Sequence, residues 1–189
     1  KNKAALQKAL KLRVDAKAPL FTVISRLTTQ KGLDLLADMT NYITAQGGQL
    51  ALLGSGDSAI EAAFTAAAEK HPTEISVTIG YDEPLAHRLQ AGADAIFIPS
   101  RFEPCGLTQL CAMRYGTVPI VGRVGGLNDT IIDASPMGLA SGAATGVQFF
   151  PVNAHMLYSA IKRSFDIYAD ENLWNTIVEN CLAQDVGWD

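Results

Sequence analysis

The sequence predicts an α/β domain built on a parallel sheet of about six strands with helices on both faces. Short apolar runs rich in β-favouring residues alternate with amphipathic segments, and polar, glycine-containing loops follow most of the runs. Strands separated by helices form β-α-β units, in which successive strands are parallel. Because no internal repeat or low-complexity linker interrupts this pattern, we expect residues 1–189 to form a single domain.

The apolar runs give the predicted strands, which are residues 20–24, 49–53, 75–79, 95–98, 118–121 and 147–150. Val, Ile, Leu and Phe dominate these runs, as expected of strands that are buried on both faces of a parallel sheet. The runs are short and bounded by glycine, proline or polar residues, which favours strands over buried helices.

The segments between the strands predict helices. Helical spacing of apolar residues or a stretch without Gly and Pro indicates helices at 2–12, 33–46, 58–70, 83–91, 110–115, 154–168 and 171–182, with a helical turn near 129–132. Asp57 or Ser58 can cap the helix at 58–70, and Gly47 and Gly48 can end the preceding helix. Residues 135–145 are rich in Gly, Ala and Ser, and we predict a long loop there.

Composition and charge exclude several classes of protein. The chain is 48% hydrophobic and 18% charged, which is typical of a globular domain with a sizeable core. Its net charge of −4, without a basic stripe, argues against a nucleic-acid partner. No apolar run approaches the ~18–20 residues of a membrane span, so no membrane partner is expected. The three cysteines lack metal-ligand spacing, which favours free thiols in a reducing compartment.

The loops after the strands carry the functional signal. In open parallel sheets, ligands bind beyond the carboxyl ends of the strands. The informative loops all occupy that position, at residues 25–31, 54–57, 80–82, 99–109 and 122–127. This convergence predicts a binding cleft at the carboxyl edge of the sheet.

The loop at residues 99–109 reads Pro-Ser-Arg-Phe-Glu-Pro-Cys-Gly-Leu-Thr-Gln and lies between a predicted strand and a predicted helix. Backbone N–H groups at the start of such a helix suit a phosphate or another anion. Glu103 beside that anion site could address a polar group of the same ligand. The alternative is an ordinary strand-to-helix loop with a surface glutamate.

Arg26 and Lys31 share the loop after the first strand. Two cations there could clamp a diphosphate, the arginine through its planar fork and the lysine as a point charge. The alternative is a solvated loop with ordinary surface charges. The loop has neither a Walker A sequence nor a G-x-G-x-x-G sequence, which disfavours P-loop NTPases and dinucleotide-binding dehydrogenases.

Several other residues allow both a functional and a structural interpretation. Tyr81 could stack on a base or form an edge of the core, and Gly125 with Gly126 allows either ligand approach or a turn. We interpret His87 as a surface or packing histidine and Cys105 as a small residue that fills a tight loop. The other acidic residues are interpreted mainly as caps and solvated faces; they are Asp34, Asp38, Glu61, Asp94, Asp129 and Asp133.

Three stretches of the chain together resemble the signatures of bacterial glycogen synthases and plant starch synthases. They are Ser-Arg-Leu-Thr-Thr-Gln-Lys-Gly-Leu-Asp at 25–34, Ser-Arg-Phe-Glu-Pro-Cys-Gly-Leu-Thr-Gln-Leu at 100–110 and Gly-Gly-Leu at 125–127. The resemblance implies a Rossmann-like domain that forms the carboxyl-terminal, donor-binding half of a two-domain GT-B glycosyltransferase. It also implies that the amino-terminal acceptor domain is absent from this sequence.

The resemblance implies roles for individual residues. Arg26 and Lys31 match the pair that binds the donor diphosphate and stabilises it as it leaves. Glu103 matches the acid beside the transferred glucose, where it acts as a positioning and electrostatic group and not as a covalent nucleophile. Residues that match contacts to the phosphates, the sugar or the adenine are Tyr81, Cys105, Gly106, Leu107, Thr108, Gly125 and Gly126.

One position departs from the wider class of retaining glycosyltransferases, many of which carry a second glutamate after the first. Cys111 occupies that position here. Glycogen and starch synthases commonly lack the second acid as well, so the family resemblance is unaffected. The cysteine does remove any argument for a mechanism with two carboxylates.

The implied reaction is transfer of glucose from ADP-glucose to the non-reducing end of an α-1,4-glucan with retained configuration. The preference for ADP over UDP rests on the resemblance alone. No metal or other cofactor is expected, the chain by itself is expected to be inactive, and its location is expected to be bacterial cytoplasm or plastid stroma. The alternatives are a nucleotide or nucleotide-sugar binding module without catalysis and a related GT-B glycosyltransferase with another donor.

Overall fold

The computed structural model describes residues 1–185, and six parallel strands in this part of the chain form one sheet. The strands are Leu20–Ile24 (β1), Gln49–Gly54 (β2), Ile75–Ile79 (β3), Ala95–Ile98 (β4), Val118–Gly122 (β5) and Val147–Phe149 (β6). All six predicted strands are confirmed, with single-residue changes at the ends of β2, β5 and β6.

The strand order β3-β2-β1-β4-β5-β6 reverses direction at the centre of the sheet. The chain builds outward from β1 to β3 and then returns to place β4 on the other side of β1, where Phe21 pairs with Ala95 and Thr22 with Ile96. The loops that leave β1 and β4 are therefore neighbours at the carboxyl edge, at the point where the strand order reverses. This switch point is the usual ligand position in open α/β sheets.

Helices connect the strands and cover the sheet. In the described residues they are Asn2–Ala9 (α1), Leu33–Ala37 (α2), Thr40–Ala45 (α3), Ser58–Lys70 (α4), Glu83–Gly92 (α5), Thr108–Arg114 (α6), Gly125–Thr130 (α7), Pro136–Ala140 (α8), Ala154–Tyr168 (α9) and Glu171–Ala183 (α10). No helix in residues 1–185 is both long enough and apolar enough to cross a membrane.

In β1 and β2, successive side chains alternate between two hydrophobic clusters, because they point to opposite faces of the sheet. The smaller cluster packs α1 and α5 on the sheet and consists of Leu6, Leu12, Leu20, Ala51, Leu53 and Leu89. The larger cluster includes Phe21, Val23, Leu50 and Leu52 and packs them against residues of α2, α3, α4 and α9. Helices thus cover both faces, and the predicted fold class is confirmed.

Two local predictions about helices are wrong. The helix predicted at 33–46 is two helices, because the Thr40 hydroxyl donates to the Ala37 carbonyl at 3.0 Å and competes with the helical hydrogen-bond ladder at the junction. The predicted loop at 135–145 contains α8, which Ser135 caps by accepting the Gly138 N–H at 3.1 Å. A serine followed by proline is a helix-start signal that the small-residue composition obscures.

Three helix boundaries also differ from the predictions. The first helix ends at Ala9 and not at residue 12, because Lys11 adopts a left-handed φ of 59°. The helix predicted at 110–115 begins at Thr108, and the turn predicted near 129–132 is a helix that begins at Gly125. The predicted cap of α4 is confirmed at Asp57, whose side chain accepts the Ala59 N–H at 2.9 Å.

The interpretation of the acidic residues as caps and solvated faces is wrong for Asp94, Asp133 and Asp34. Asp94 lies 2.6 Å from the Lys3 amine and accepts the Leu20 N–H at 2.7 Å, so it ties α1 to the start of β1. Burial raises the pKa of the Asp94 carboxyl despite the nearby Lys3. Asp133 and Asp34 are each held by an arginine fork.

We expect Asp94→Ala to lower the free energy of unfolding by about 2 kcal/mol. This lies between the ~1 kcal/mol of an exposed ion pair and the ~3–5 kcal/mol of a fully buried one, since Lys3 and Asp94 retain 16% and 20% of their side-chain exposure. Urea denaturation measures the change. Asp166→Ala is the matched control, because its pair with Lys162 is well exposed and should change stability by less than ~0.5 kcal/mol. Equal losses in both variants would contradict the assignment.

We expect the three cysteines to differ in reactivity. The Cys181 thiol donates to the Thr145 carbonyl at 3.0 Å, and burial raises its pKa to about 12, whereas Cys105 and Cys111 are exposed. Because the thiolate is the nucleophile, iodoacetamide near pH ~8 should alkylate Cys105 and Cys111 in the native chain and reach Cys181 only in denaturant. Peptide mass spectrometry measures the labelling. Native labelling of Cys181 at the rate of the other two would refute the packing of α10.

Candidate functional site

The loops after β1 and β4 meet at the switch point and pack directly on each other. The Arg101 N–H donates to the Gln30 carbonyl at 2.9 Å. Gly32 has a left-handed φ of 71°, and a Cβ at this residue would lie 1.9 Å from the Pro99 carbonyl oxygen. Only glycine fits such a position, so the close approach of the two loops is built into the sequence.

Lys31 and Glu103 form an ion pair where these loops meet. The Lys31 amine lies 2.5 Å from Glu103 Oε2, and the Ser100 hydroxyl donates to the same oxygen at 3.3 Å. The side chains of Lys31 and Glu103 are 19% and 12% exposed, so both are partly accessible to solvent. Ser25 and Thr108 line the small cavity beside this pair.

Arg26 lies in the same loop as Lys31 but is used differently. Its side chain is exposed and forms no hydrogen bond or ion pair with any of residues 1–185. The Arg26 guanidinium is therefore available to a ligand. One cation bound to an acid and one unpaired cation in a single loop can together receive an anion of more than one negative charge.

Gly125 and Gly126 begin α7 directly against the Glu103 loop. The Gly126 N–H donates to the Glu103 carbonyl at 3.1 Å. A Cβ on Gly125 would lie 2.0 Å from the Glu103 carbonyl oxygen, and a Cβ on Gly126 would lie 2.0 Å from that of Cys105. Loop packing alone therefore requires both glycines, and their contact to a ligand stays a prediction.

Gln109 is a structural residue of the site that the sequence analysis did not single out. Its fully buried side chain donates through Nε2 to the Gly106 carbonyl at 2.9 Å and to the Thr130 hydroxyl at 3.2 Å. Thr130 in turn donates to the Gly126 carbonyl at 2.6 Å. Gln109 thus joins α6, the preceding loop and α7. The signal available in the sequence was an amide side chain at the start of a predicted helix; its burial is visible only in the structure.

Arg101 and Asp34 were also missed, although both lie inside the stretches that carry the family resemblance. Arg101 donates to both carboxylate oxygens of Asp34 at 2.6 and 2.8 Å. The hydrogen bonds from Arg101 hold the pKa of Asp34 below its usual range. An arginine two residues before the acid and an aspartate three residues after the lysine are only meaningful once the loops are known to touch.

The remaining predicted residues lie on the same edge of the sheet. Cys105 and Leu107 are exposed on the Glu103 loop, with Gly106 between them. Tyr81 follows β3 and is 86% exposed. Since β2 separates β3 from β1, the axes of β3 and β1 are about 10 Å apart. His87 is a surface residue on α5 whose Nδ1 lies 2.9 Å from the Tyr115 hydroxyl, as interpreted from the sequence.

The charges of this arrangement suit an anionic ligand. Residues 1–185 contain no group of three or more His, Cys, Asp or Glu side chains placed to hold a metal ion. The described part of the chain brings together one carboxylate, two cations, three hydroxyl groups and the starts of two helices. Such a set can bind a polyvalent anion that carries a polar group within reach of Glu103.

Comparison with curated proteins identifies close relatives over nearly the whole chain. Glycogen synthase of Rhodopseudomonas palustris strain BisA53 is 54% identical over 187 residues, which are 99% of this chain and 38% of the relative. Glycogen synthase of Rhizobium leguminosarum bv. trifolii strain WSM2304 is 55% identical over 172 residues, which are 91% of this chain and 36% of the relative. The chain therefore spans less than two fifths of the length of these relatives.

Solved structures give the same result. The catalytic domain of starch synthase IV from Arabidopsis thaliana, bound to ADP and acarbose, superposes with a TM-score of 0.90 at 36% identity. The match covers 99% of this chain and 39% of that one. Sucrose-phosphate synthase from Thermosynechococcus elongatus matches with a TM-score of 0.69 at 26% identity, over 95% of this chain and 44% of that one.

The resemblance to glycogen and starch synthases that the motifs indicate is thus confirmed. The structural matches also confirm that the sheet has the architecture of a GT-B glycosyltransferase domain. A family model described as glycosyl transferases group 1 matches residues 7–179, which is most of the sequence. The chain belongs to the glycosyl transferases group 1 family.

Proposed function

We propose that the chain is the donor-binding half of a retaining glucosyltransferase that transfers glucose from ADP-glucose to the non-reducing end of an α-1,4-glucan. The observation that carries the proposal is the Lys31–Glu103 ion pair at the switch point, with the unpaired Arg26 in the same loop. The glycogen synthases at 54–55% identity and the starch synthase bound to ADP support the reaction and the nucleotide.

The two cations bind the donor diphosphate in this proposal. Arg26 can engage two phosphate oxygens through its planar fork, and Lys31 adds a compact charge that can turn from Glu103 toward the phosphates. The Thr108 hydroxyl and the backbone of Cys105, Gly106 and Leu107 lie on the same edge and complete the contacts. Because protein cations supply the positive charge, we propose that donor binding needs no metal ion.

The chemical step places negative charge on the diphosphate. The bond between the anomeric carbon and the diphosphate oxygen breaks, and its electron pair stays on the diphosphate. The oxygen of the acceptor hydroxyl forms the new bond to the anomeric carbon, and its proton passes to the departing diphosphate. Cations fixed at the leaving group act mainly on the developing charge, and losing one such group typically costs roughly 10²–10³ in rate.

Glu103 acts beside the sugar in this proposal. Its carboxylate stays negative next to a glucose ring that becomes oxocarbenium-like, and it can accept a hydrogen bond from a sugar hydroxyl once Lys31 turns to the phosphates. Gly125 and Gly126, which already touch the Glu103 loop, would offer backbone groups to the same sugar. Glu103 positions the sugar and stabilises its charge, and no covalent intermediate is proposed.

The proposed binding positions of the adenine and of the glucan acceptor lie outside the Lys31–Glu103 centre. Tyr81, which follows β3, is exposed and can stack on the adenine of a nucleotide whose phosphates reach Lys31. Since the chain covers only 38% of its glycogen synthase relative, we propose that the glucan binds mostly to the remainder of the protein and that this chain alone is inactive. Bacterial cytoplasm or plastid stroma is the proposed location.

We expect the chain to bind ADP in the presence of a chelator, and Lys31→Ala to weaken this binding about 10- to 100-fold. The range follows from the ~1.5–3 kcal/mol of a hydrogen bond to a charged group. Isothermal titration calorimetry with ADP, UDP and ADP-glucose measures the affinities. We expect UDP to bind more weakly than ADP.

Lys162→Ala is the matched control for this titration. Lys162 is an exposed lysine on α9 that pairs with Asp166, and its loss should leave the ADP affinity unchanged. Binding that requires added magnesium, or an ADP affinity that is equal in Lys31→Ala and the unaltered chain, would contradict the proposed function.

A further inference from the structure

We infer that Arg101 is a positioning residue which, together with Asp34, holds the loop of Lys31 in register with the loop of Glu103. The inference rests on the proposed function, because it assigns a cause to the geometry of the proposed donor site. It adds a residue pair that the implied catalytic and binding set does not include.

Arg101 makes an unusual number of contacts to one short segment. Its guanidinium donates to Asp34 Oδ1 at 2.6 Å and to Oδ2 at 2.8 Å, which is a bidentate fork. The same guanidinium donates to the Thr29 carbonyl at 2.5 Å, and the Arg101 backbone N–H donates to the Gln30 carbonyl at 2.9 Å. One residue therefore donates four hydrogen bonds to the segment between residues 29 and 34.

These contacts lie close in sequence to both Lys31 and Glu103. Lys31 lies between the residues that Arg101 contacts, and Glu103 follows Arg101 by two residues. A shift of the 29–34 segment against the Arg101 backbone would change the Lys31–Glu103 distance directly. At its start, the loop of Lys31 is also tied to the loop after β2 by the Leu27 N–H, which donates to the Ser55 carbonyl at 2.9 Å. Closer to Lys31, the further backbone bonds are short-range, such as that from the Lys31 N–H to the Thr28 carbonyl at 3.1 Å.

Because the Arg101–Asp34 fork is partly exposed, we expect it to fix local geometry more than it stabilises the whole fold. The side chains of Arg101 and Asp34 are 34% and 35% exposed, and ion pairs of that kind contribute little to folding. The hydrogen bonds from Arg101 keep the pKa of Asp34 low, so the fork stays charged at neutral pH. A planar, multidentate group suits positioning, because lysine could not reproduce its separate bonds to a carboxylate and a carbonyl.

A double-mutant cycle tests this role through ADP affinity. We expect Arg101→Ala to weaken ADP binding about tenfold in the presence of a chelator, since a small displacement of a binding group is costly. In the Lys31→Ala background the same change should have almost no effect, because Arg101 acts through Lys31. Arg101→Lys should restore only part of the affinity. Independent, additive losses would overturn the inference.

Arg163→Ala is the matched control. Arg163 forms the same fork with Asp133, at 2.8 and 3.0 Å and with 34% and 24% exposure, but it does not contact the Lys31 loop. We expect this variant to bind ADP like the unaltered chain. A tenfold loss in Arg163→Ala as well would mean that any lost arginine fork impairs the domain, which would overturn a specific role for Arg101.

Trace acetylation provides a readout that does not depend on the nucleotide. Acetic anhydride should modify Lys31 more slowly than Lys162, because Lys31 is held by Glu103 and is less exposed. Circular dichroism first checks that Arg101→Ala is folded. In this variant, Lys31 should become more reactive relative to Lys162, as measured by mass spectrometry. Unchanged Lys31 reactivity would overturn the inference. Absence of ADP binding by the unaltered chain would instead contradict the proposed function.

Discussion

The ion pair between Lys31 and Glu103 is the interaction on which the candidate site depends. Its partners are 72 residues apart in the sequence and meet because β1 and β4 are neighbours at the point where the strand order reverses. Each charge satisfies the other in a position that retains little exposure, where a lone charge would be costly. In the proposed function, a diphosphate would offer Lys31 another anion and leave Glu103 facing the sugar, so one contact would link donor binding to the chemistry.

Close packing of the loops is the constraint that makes this contact possible. Gly32 admits the Pro99 carbonyl, and Gly125 and Gly126 admit the carbonyls of the Glu103 loop. The glycines that look like ligand-contact residues are therefore needed by the loops themselves. The site is consequently closely packed on the side of β4 and α7, while the Arg26 side chain is exposed and unpaired among residues 1–185.

Sequence reasoning predicted the fold from local patterns, and it named Lys31 and Glu103, which the structure joins in an ion pair. Apolar runs mark the strands, and the placement of polar loops after them marks the carboxyl edge. Arg101–Asp34 and Lys3–Asp94 were missed because each joins residues far apart, and a lone acid in a sequence does not reveal its partner. The break near Thr40 was missed because a side-chain hydrogen bond overrides an otherwise helical spacing.

The most direct test of the account is the ADP affinity of Glu103→Gln, measured by calorimetry in the presence of a chelator. If Glu103 competes with the diphosphate for Lys31, glutamine removes both this competition and the repulsion between two anions. We expect ADP to bind about tenfold more tightly to this variant, and the gain to shrink when Lys31→Ala is added, because only the relief of anion repulsion then remains. Equal or weaker binding by Glu103→Gln would contradict the exchange of Lys31 between Glu103 and the donor.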